Sequence, residues 1–116
     1  MADIVIVASA FGMDRVRQEG HSAFIATAAA SGATGFEVRR ELFASEQDAA
    51  PGALAMLGAQ LASHGLWSVF STPANLYTET GALDADALRS ALAEADALGA
   101  RFVKFQLGGF AGDAQA

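Results

Sequence analysis

The residues best suited to chemistry lie in one short charged segment, Phe36-Glu-Val-Arg-Arg-Glu-Leu-Phe43. Alternate residues of a strand share a face, so Glu37, Arg39 and Glu41 are predicted to project together. Glu41, nearest the carboxyl end, is the candidate catalytic carboxylate, and Arg39 is a candidate ligand for an oxyanion or a phosphate. The alternative is an internal ion-pair network with Lys104, and this is the role expected for Glu37.

Three further polar residues are candidates for substrate binding. Lys104 and Gln106 alternate in a second apolar run, where a lysine can polarise a carbonyl or pair with a glutamate of the first segment. Thr72 lies in Ser71-Thr-Pro73, at the end of another apolar run, with Asn75 and Tyr77 in the predicted loop that follows.

The two histidines have different expectations. His21 precedes the first predicted helix, so it could contact a substrate or accept a proton, and the alternative is a surface or capping residue. His64 falls in the last turn of the second predicted helix, where a histidine interacts favourably with the helix dipole. We interpret His64 as structural, and we assign no residue as a metal ligand.

Four apolar runs rich in Val, Ile and Phe predict strands, over residues 4–8, 35–39, 66–70 and 101–107. Alanine-rich stretches over 22–30, 51–63 and 84–98 predict helices, and residues 9–21 are predicted to form a long loop. Pro51 suits a first helical turn and Asp84 a helix cap. A glycine follows each helix, at Gly32, Gly65 and Gly99, which is typical of a left-handed helix end.

This tandem of strand–helix units predicts an α/β protein with parallel strands. The strands alternate between apolar and polar residues, whereas strands covered on both faces by helices are almost uniformly apolar. A barrel explains the alternation, because its apolar face meets outer helices while its polar face lines the interior. We therefore predict a (β/α)4 half of a TIM barrel, with Trp67 on the helix side.

The composition excludes several other classes. The 116 residues suit one domain, in which residues 109–116 are predicted to be a flexible tail. The chain has no cysteine and a net charge of -6, which excludes disulfide scaffolds and disfavours nucleic acid and anionic membranes as partners. No run approaches a bilayer span and the amino terminus lacks a signal-peptide pattern, so we expect a cytoplasmic protein.

Three segments, in order, resemble the xylose isomerase-like TIM barrels, the sugar and sugar-phosphate isomerases and epimerases related to endonuclease IV. They are residues 36–43, 66–73 and 98–108, and they cover only the first four units of that fold. The resemblance implies an eight-stranded barrel, a sugar or sugar-phosphate substrate and a divalent metal, Mn²⁺ or Mg²⁺, that polarises it.

The family's metal ligands come largely from later strands, so the resemblance implies no complete metal site in this chain. The endonuclease branch has histidines at the mouth end of early strands, where this chain has Ser71-Thr-Pro73, so DNA repair is disfavoured. The leading hypothesis is the amino-terminal half of a metal-dependent isomerase or epimerase barrel. Its isolated form is expected to be inactive.

Strands one and four would be unpaired edges of such a half. We therefore expect either a homodimer or a complementary half-barrel as partner. The alternative function is a non-catalytic half-barrel that self-associates, and a third possibility is an open flavodoxin-like sheet that binds a small ligand.

Overall fold

The computed structural model describes residues 3–108, and the tail predicted over 109–116 lies outside them. Its strands and α-helices alternate in chain order: β1 (Val5–Val7), α1 (Met13–Glu19), α2 (Ile25–Ala30), β2 (Gly35–Arg39), α3 (Pro51–Ser63), β3 (Trp67–Tyr77), α4 (Ala85–Leu98) and β4 (Phe102–Gly108). Four short 3-10 helices join them: Ala8–Phe11, His21–Phe24, Arg40–Leu42 and Glu46–Ala49.

The four strands form one parallel sheet in the order β1-β2-β3-β4. The prediction of an α/β protein with parallel strands is therefore confirmed. Because the order follows the chain, the sheet lacks the reversal that a doubly wound sheet contains. Strands β1 and β4 are its two edges within residues 3–108.

One face of the sheet packs against the helices. The hydrophobic core contains Phe36, Val38 and Phe70 from the strands, and residues from all four helices, among them Val16 and Leu61. Sequential parallel strands joined by right-handed crossovers place successive helices on the same face, which explains this arrangement. The strand residues between these core positions point away from the core.

The predicted helix ends are confirmed. Pro51 is in the first turn of α3, and the Asp84 side chain accepts a hydrogen bond of 3.0 Å from the Ala87 amide at the start of α4. Gly99 ends α4 in a left-handed conformation, with φ 79°. At this position the chain must turn at once into β4, and a residue without Cβ does so without strain.

Three local predictions were wrong. Residues 13–19 form α1 rather than a loop. Polar residues surround the buried Val16, as in a short helix that presents one side to the core. Residues 72–77 continue β3 rather than forming a loop, since they pair with β4 beyond a register shift between Ser71 and Asn75. Trp67 lies opposite Gly35, on the face that also carries Glu37, and not on the helix side.

Among residues 3–108, no helix combines the length and apolar character that crossing a membrane would require.

Candidate functional site

The candidate site lies on the sheet face opposite the core, which we call the open face. Alternate positions of its parallel strands carry two groups of residues there, and the groups meet where Glu37 pairs in register with Val69. An apolar layer nearer the amino ends of the strands comprises Val5, Trp67, Val69 and Phe102. A charged layer nearer their carboxyl ends comprises Glu37, Arg39, Glu41 and Lys104.

The apolar layer is centred on Trp67. Its indole ring lies over Gly35, where an added Cβ would come within 3.0 Å of the ring. Phe102 packs edge-on against it at 6.0 Å between centroids, and the Arg101 guanidinium lies 4.4 Å from the ring centroid. Phe102 is nonetheless 57% exposed, so this layer leaves apolar surface open to water.

Glu37 is the most buried member of the charged layer, at 4% exposed. Its Oε1 atom accepts a hydrogen bond from Lys104 Nζ at 3.1 Å, and its Oε2 atom lies 3.9 Å from Arg39 Nη1. The pairing of Lys104 with a glutamate of strand two, predicted as its alternative role, is thus present. The buried carboxylate is held by two cations, as desolvated charges require.

Arg39 and Glu41 form the second pair of the charged layer. Arg39 donates from Nη2 and Nε to Glu41 Oε2, at 2.7 and 3.1 Å. Glu41 lies beyond the strand, in the 3-10 helix Arg40–Leu42. Burial opposes ionisation of its carboxyl, but the hydrogen bonds from Arg39 and its own amide, with the charges of Arg39 and Arg17, keep the pKa of Glu41 below its usual value.

Two carboxylate oxygens of this layer are buried and lack a hydrogen-bond partner within residues 3–108. They are Glu37 Oε2 and Glu41 Oε1. A buried acceptor without a donor is unfavourable and uncommon in folded proteins. A ligand hydroxyl, a water or another chain segment would stabilise the layer by donating to them.

His21 is buried beside this layer, at 3% exposed. Its Nε2 atom accepts a hydrogen bond of 3.1 Å from the Arg39 amide, and its ring packs edge-on against Phe43 and Phe36. Burial lowers the pKa of His21 to about 4, although the nearby charges of Asp48 and Glu41 partly oppose that effect. The ring is therefore neutral near pH 7.

His21 also lines a cleft of about 420 Å³ between α1 and α3. Polar groups of Arg17 and Asp48 and the apolar side chains of Leu42 and Met56 form other parts of its wall. The cleft is thus adjacent to the charged layer through His21.

The remaining sequence candidates lie farther along the strands. Thr72 is buried and its hydroxyl accepts from the Ala74 amide at 3.2 Å, which stabilises the irregular part of β3. The side chain of Gln106 is exposed, and Gln106 pairs in register with Asn75 beyond that irregularity. The charged layer therefore brings together Arg39, Glu41 and Lys104, with His21 behind it, while Thr72 and Gln106 belong to the protruding part of the β3–β4 pair.

Sequence reasoning missed Arg40, which follows the strand directly. Its guanidinium binds Glu46 at 2.7 and 2.8 Å and Glu94 at 3.0 and 3.1 Å, and these bonds raise its pKa. Arg40 thereby connects the carboxyl end of β2 to α4 and fixes the turn that carries Glu41. Glu94 lies 54 residues away in the chain, so no local pattern indicates this contact.

The divalent metal implied by the family resemblance does not fit the described residues. Within residues 3–108, no group of three or more His, Asp or Glu side chains converges as metal ligands would. The two carboxylates of the charged layer are each bound to a cationic side chain, which competes with a metal ion for the same oxygens.

The chain matches none of the protein-family models, and no curated protein has significant similarity to it.

Proposed function

We propose that this chain is the amino-terminal half of a sugar isomerase- or epimerase-like barrel, in which it supplies substrate-binding groups and no metal ligand. The strand order and the single helix-covered face support a half-barrel, because a TIM barrel repeats this arrangement around its axis. The open face then corresponds to the barrel interior.

The charged layer carries the functional part of the proposal. It lies toward the carboxyl ends of the strands, where barrel enzymes bind substrates. Arg39 is suited to an oxyanion or phosphate, Lys104 to a carbonyl, and Glu41 to a hydroxyl group. The observation that carries the proposal is that Glu41 Oε1 and Glu37 Oε2 are buried and lack a donor within residues 3–108, and a polyhydroxylated ligand would supply donors to both.

A binding titration with the whole 116-residue chain tests this function. Nuclear magnetic resonance (NMR) shifts are followed as D-fructose and D-fructose 6-phosphate are added to the chain and to its Glu41→Gln variant. Loss of the carboxylate removes a charged hydrogen bond, so the dissociation constant is expected to rise by about tenfold or more. Glu79→Gln, at an exposed position, is the matched control and leaves binding unchanged.

Absence of shifts at Arg39 and Lys104 with either sugar would contradict the proposed function. So would equal binding by the Glu41→Gln variant. Because the described residues do not form a metal site, adding Mg²⁺ is expected to leave the sugar-induced shifts of the chain unaltered.

The apolar layer favours a second function, the self-association of non-catalytic half-barrels. A copy of this chain is the proposed partner because the charged layer contains two acids and two bases, so two such layers face each other without net charge. A two-fold axis parallel to the strands places apolar layer on apolar layer and the β4 edge of one copy beside the β1 edge of the other.

Sedimentation velocity of two lysine variants tests this second function. Phe102→Lys introduces a charge into the apolar layer and is expected to shift the chain from dimer to monomer. Leu92→Lys is the matched control, because Leu92 is also exposed but lies on α4. A chain that remains monomeric without any substitution would refute self-association, and equal effects of both variants would place the interface elsewhere.

A further inference from the structure

His21 occupies the place that a longer β1 would fill. Amides of alternate β2 residues point toward β1, as shown by the 3.1 Å bond from the Gly35 amide to the Ile4 carbonyl. Strand β1 ends at Val7, opposite Glu37, so the Arg39 amide has no strand partner on that side. His21 Nε2 accepts this amide at 3.1 Å instead.

This hydrogen bond fixes the chemical form of the ring. A nitrogen that accepts a hydrogen bond carries no proton, so the neutral ring has its proton on Nδ1. Contacts with Phe43 and Phe36, at 5.0 and 6.4 Å between ring centroids, hold the ring in this orientation. The backbone that it binds belongs to Arg39, whose guanidinium holds Glu41.

We propose that His21 is a positioning residue for the Arg39–Glu41 pair and that proton uptake by its ring releases the Arg39 amide and weakens binding at the pair. A protonated imidazole has two N–H donors and no acceptor, so it cannot accept the Arg39 amide. The inference rests on the proposed function, since it concerns the regulation of that same site.

The charges around His21 are mixed. Asp48, from the 3-10 helix Glu46–Ala49, and Glu41 both favour the protonated ring, while its burial opposes it. Arg17 and Glu19 of α1 also line the adjacent cleft, and α3, on its other side, has no charged residue. Proton uptake at His21 therefore depends on how well the ring remains buried.

The first experiment needs no ligand. Imidazole ¹⁵N NMR near neutral pH is expected to show Nδ1 protonated and Nε2 as a bare acceptor, and a ring protonated on Nε2 would overturn the inference. As the pH falls, the Arg39 amide resonance is expected to move together with the His21 ring nitrogens.

Two variants separate positioning from simple packing. His21→Gln retains an acceptor near the Nε2 position but does not titrate, so it keeps the Arg39 amide protected from hydrogen exchange at all pH values. His21→Phe fills the space without an acceptor, so it loses that protection even at neutral pH. Equal protection of the Arg39 amide in both variants would contradict the positioning role.

D-Fructose, which does not titrate in this range, then tests the effect on binding. Between about pH 6.5 and about pH 3.5, its binding to the unmodified chain is expected to weaken by about twofold to threefold more than its binding to the His21→Gln variant, because the protonated part of the population loses one hydrogen bond. Equal weakening in both would overturn the regulation. If no sugar binds at any pH, the proposed function fails, while the Arg39 amide still reports whether His21 positions it.

Discussion

The two faces of the sheet are built from the same strands and differ in what covers them. Phe70 and Phe102 are both strand phenylalanines, but Phe70 is 0% exposed in the helix-covered core and Phe102 is 57% exposed on the open face. The covered face is apolar at its centre, whereas the open face combines an apolar layer with paired charges. The apolar surface on the open face is what the proposed second half-barrel would cover.

The two faces of the sheet also differ in how deeply their ion pairs are buried. Glu37, the buried carboxylate of the open face, is 4% exposed and pairs with Lys104, whereas the Arg40–Glu94 pair on the helix side is partly exposed. Buried ion pairs add little net stability compared with apolar packing. The proposed ligand binding therefore rests on these paired charges rather than on the apolar layer.

The largest expected effect comes from removing a phenylalanine on the covered face. Phe70→Ala leaves a cavity among Phe36, Val38 and the helices, and the free energy of unfolding is expected to fall by about 3–5 kcal/mol. Phe102→Ala, the control at an exposed strand position, is expected to cost less than about 1 kcal/mol at low protein concentration. Urea unfolding measures both, and similar losses would show that the two faces are equally buried.

The next largest expected effect is the pH dependence that His21 contributes to the free energy of unfolding. Its pKa is 6.5 when exposed and about 4 in the fold. Between these values the unfolded chain binds a proton that the folded chain does not, so stability falls as the pH drops from 6.5 toward 4, by roughly 3 kcal/mol in all. His21→Gln is expected to remove this part of the pH dependence.

Exposed His64 provides the control for that measurement. His64→Gln makes the same change of side chain at the surface, and so separates the effect of burial from that of the substitution itself. If His21→Gln and the unmodified chain lose stability in parallel between these pH values, then His21 is not the buried neutral group described above.

The smallest expected effect is the difference in stability lost when an ion pair of the open face or an ion pair of the surface is broken. Lys104→Met removes one partner of Glu37, and the expected loss is about 1–2 kcal/mol, because Arg39 remains nearby and Lys104 itself is largely exposed. Arg15→Met breaks the exposed pair with Glu19 on α1 and is expected to cost less than about 0.5 kcal/mol. If thermal unfolding shows equal losses of stability in the two variants, the open-face pair contributes no more than a surface pair.

Local features of the fold could be predicted from the sequence. The cap at Asp84 and the left-handed turn at Gly99 depend on one residue and its neighbours. The alternation of Glu37 and Arg39 with apolar residues depends only on the strand repeat. Trp67 was assigned to the wrong face from its position in the strand, and Gly35, which makes room for its ring, lies on the neighbouring strand.

The parts that could not be predicted depend on contacts distant in the sequence. Pro73 suggested the end of a strand, but pairing between Asn75 and Gln106 extends β3 past it. His21 binds a backbone amide 18 residues away, and the pattern of side chains does not indicate a hydrogen bond to a backbone donor. For the candidate site, the residue types and the pairing of Lys104 with Glu37 were therefore predictable, but the partners of Arg40 and His21 were not.

We propose that the open face is the interior of a barrel and that a second copy of this chain covers it. Trp67, the only tryptophan, lies on this face and reports its coverage directly. Acrylamide quenching of its fluorescence should be measured across a protein concentration series, together with the mass by light scattering. If a second copy covers this face, quenching falls as the mass doubles. A chain that stays monomeric, with quenching that does not change with concentration, would contradict it.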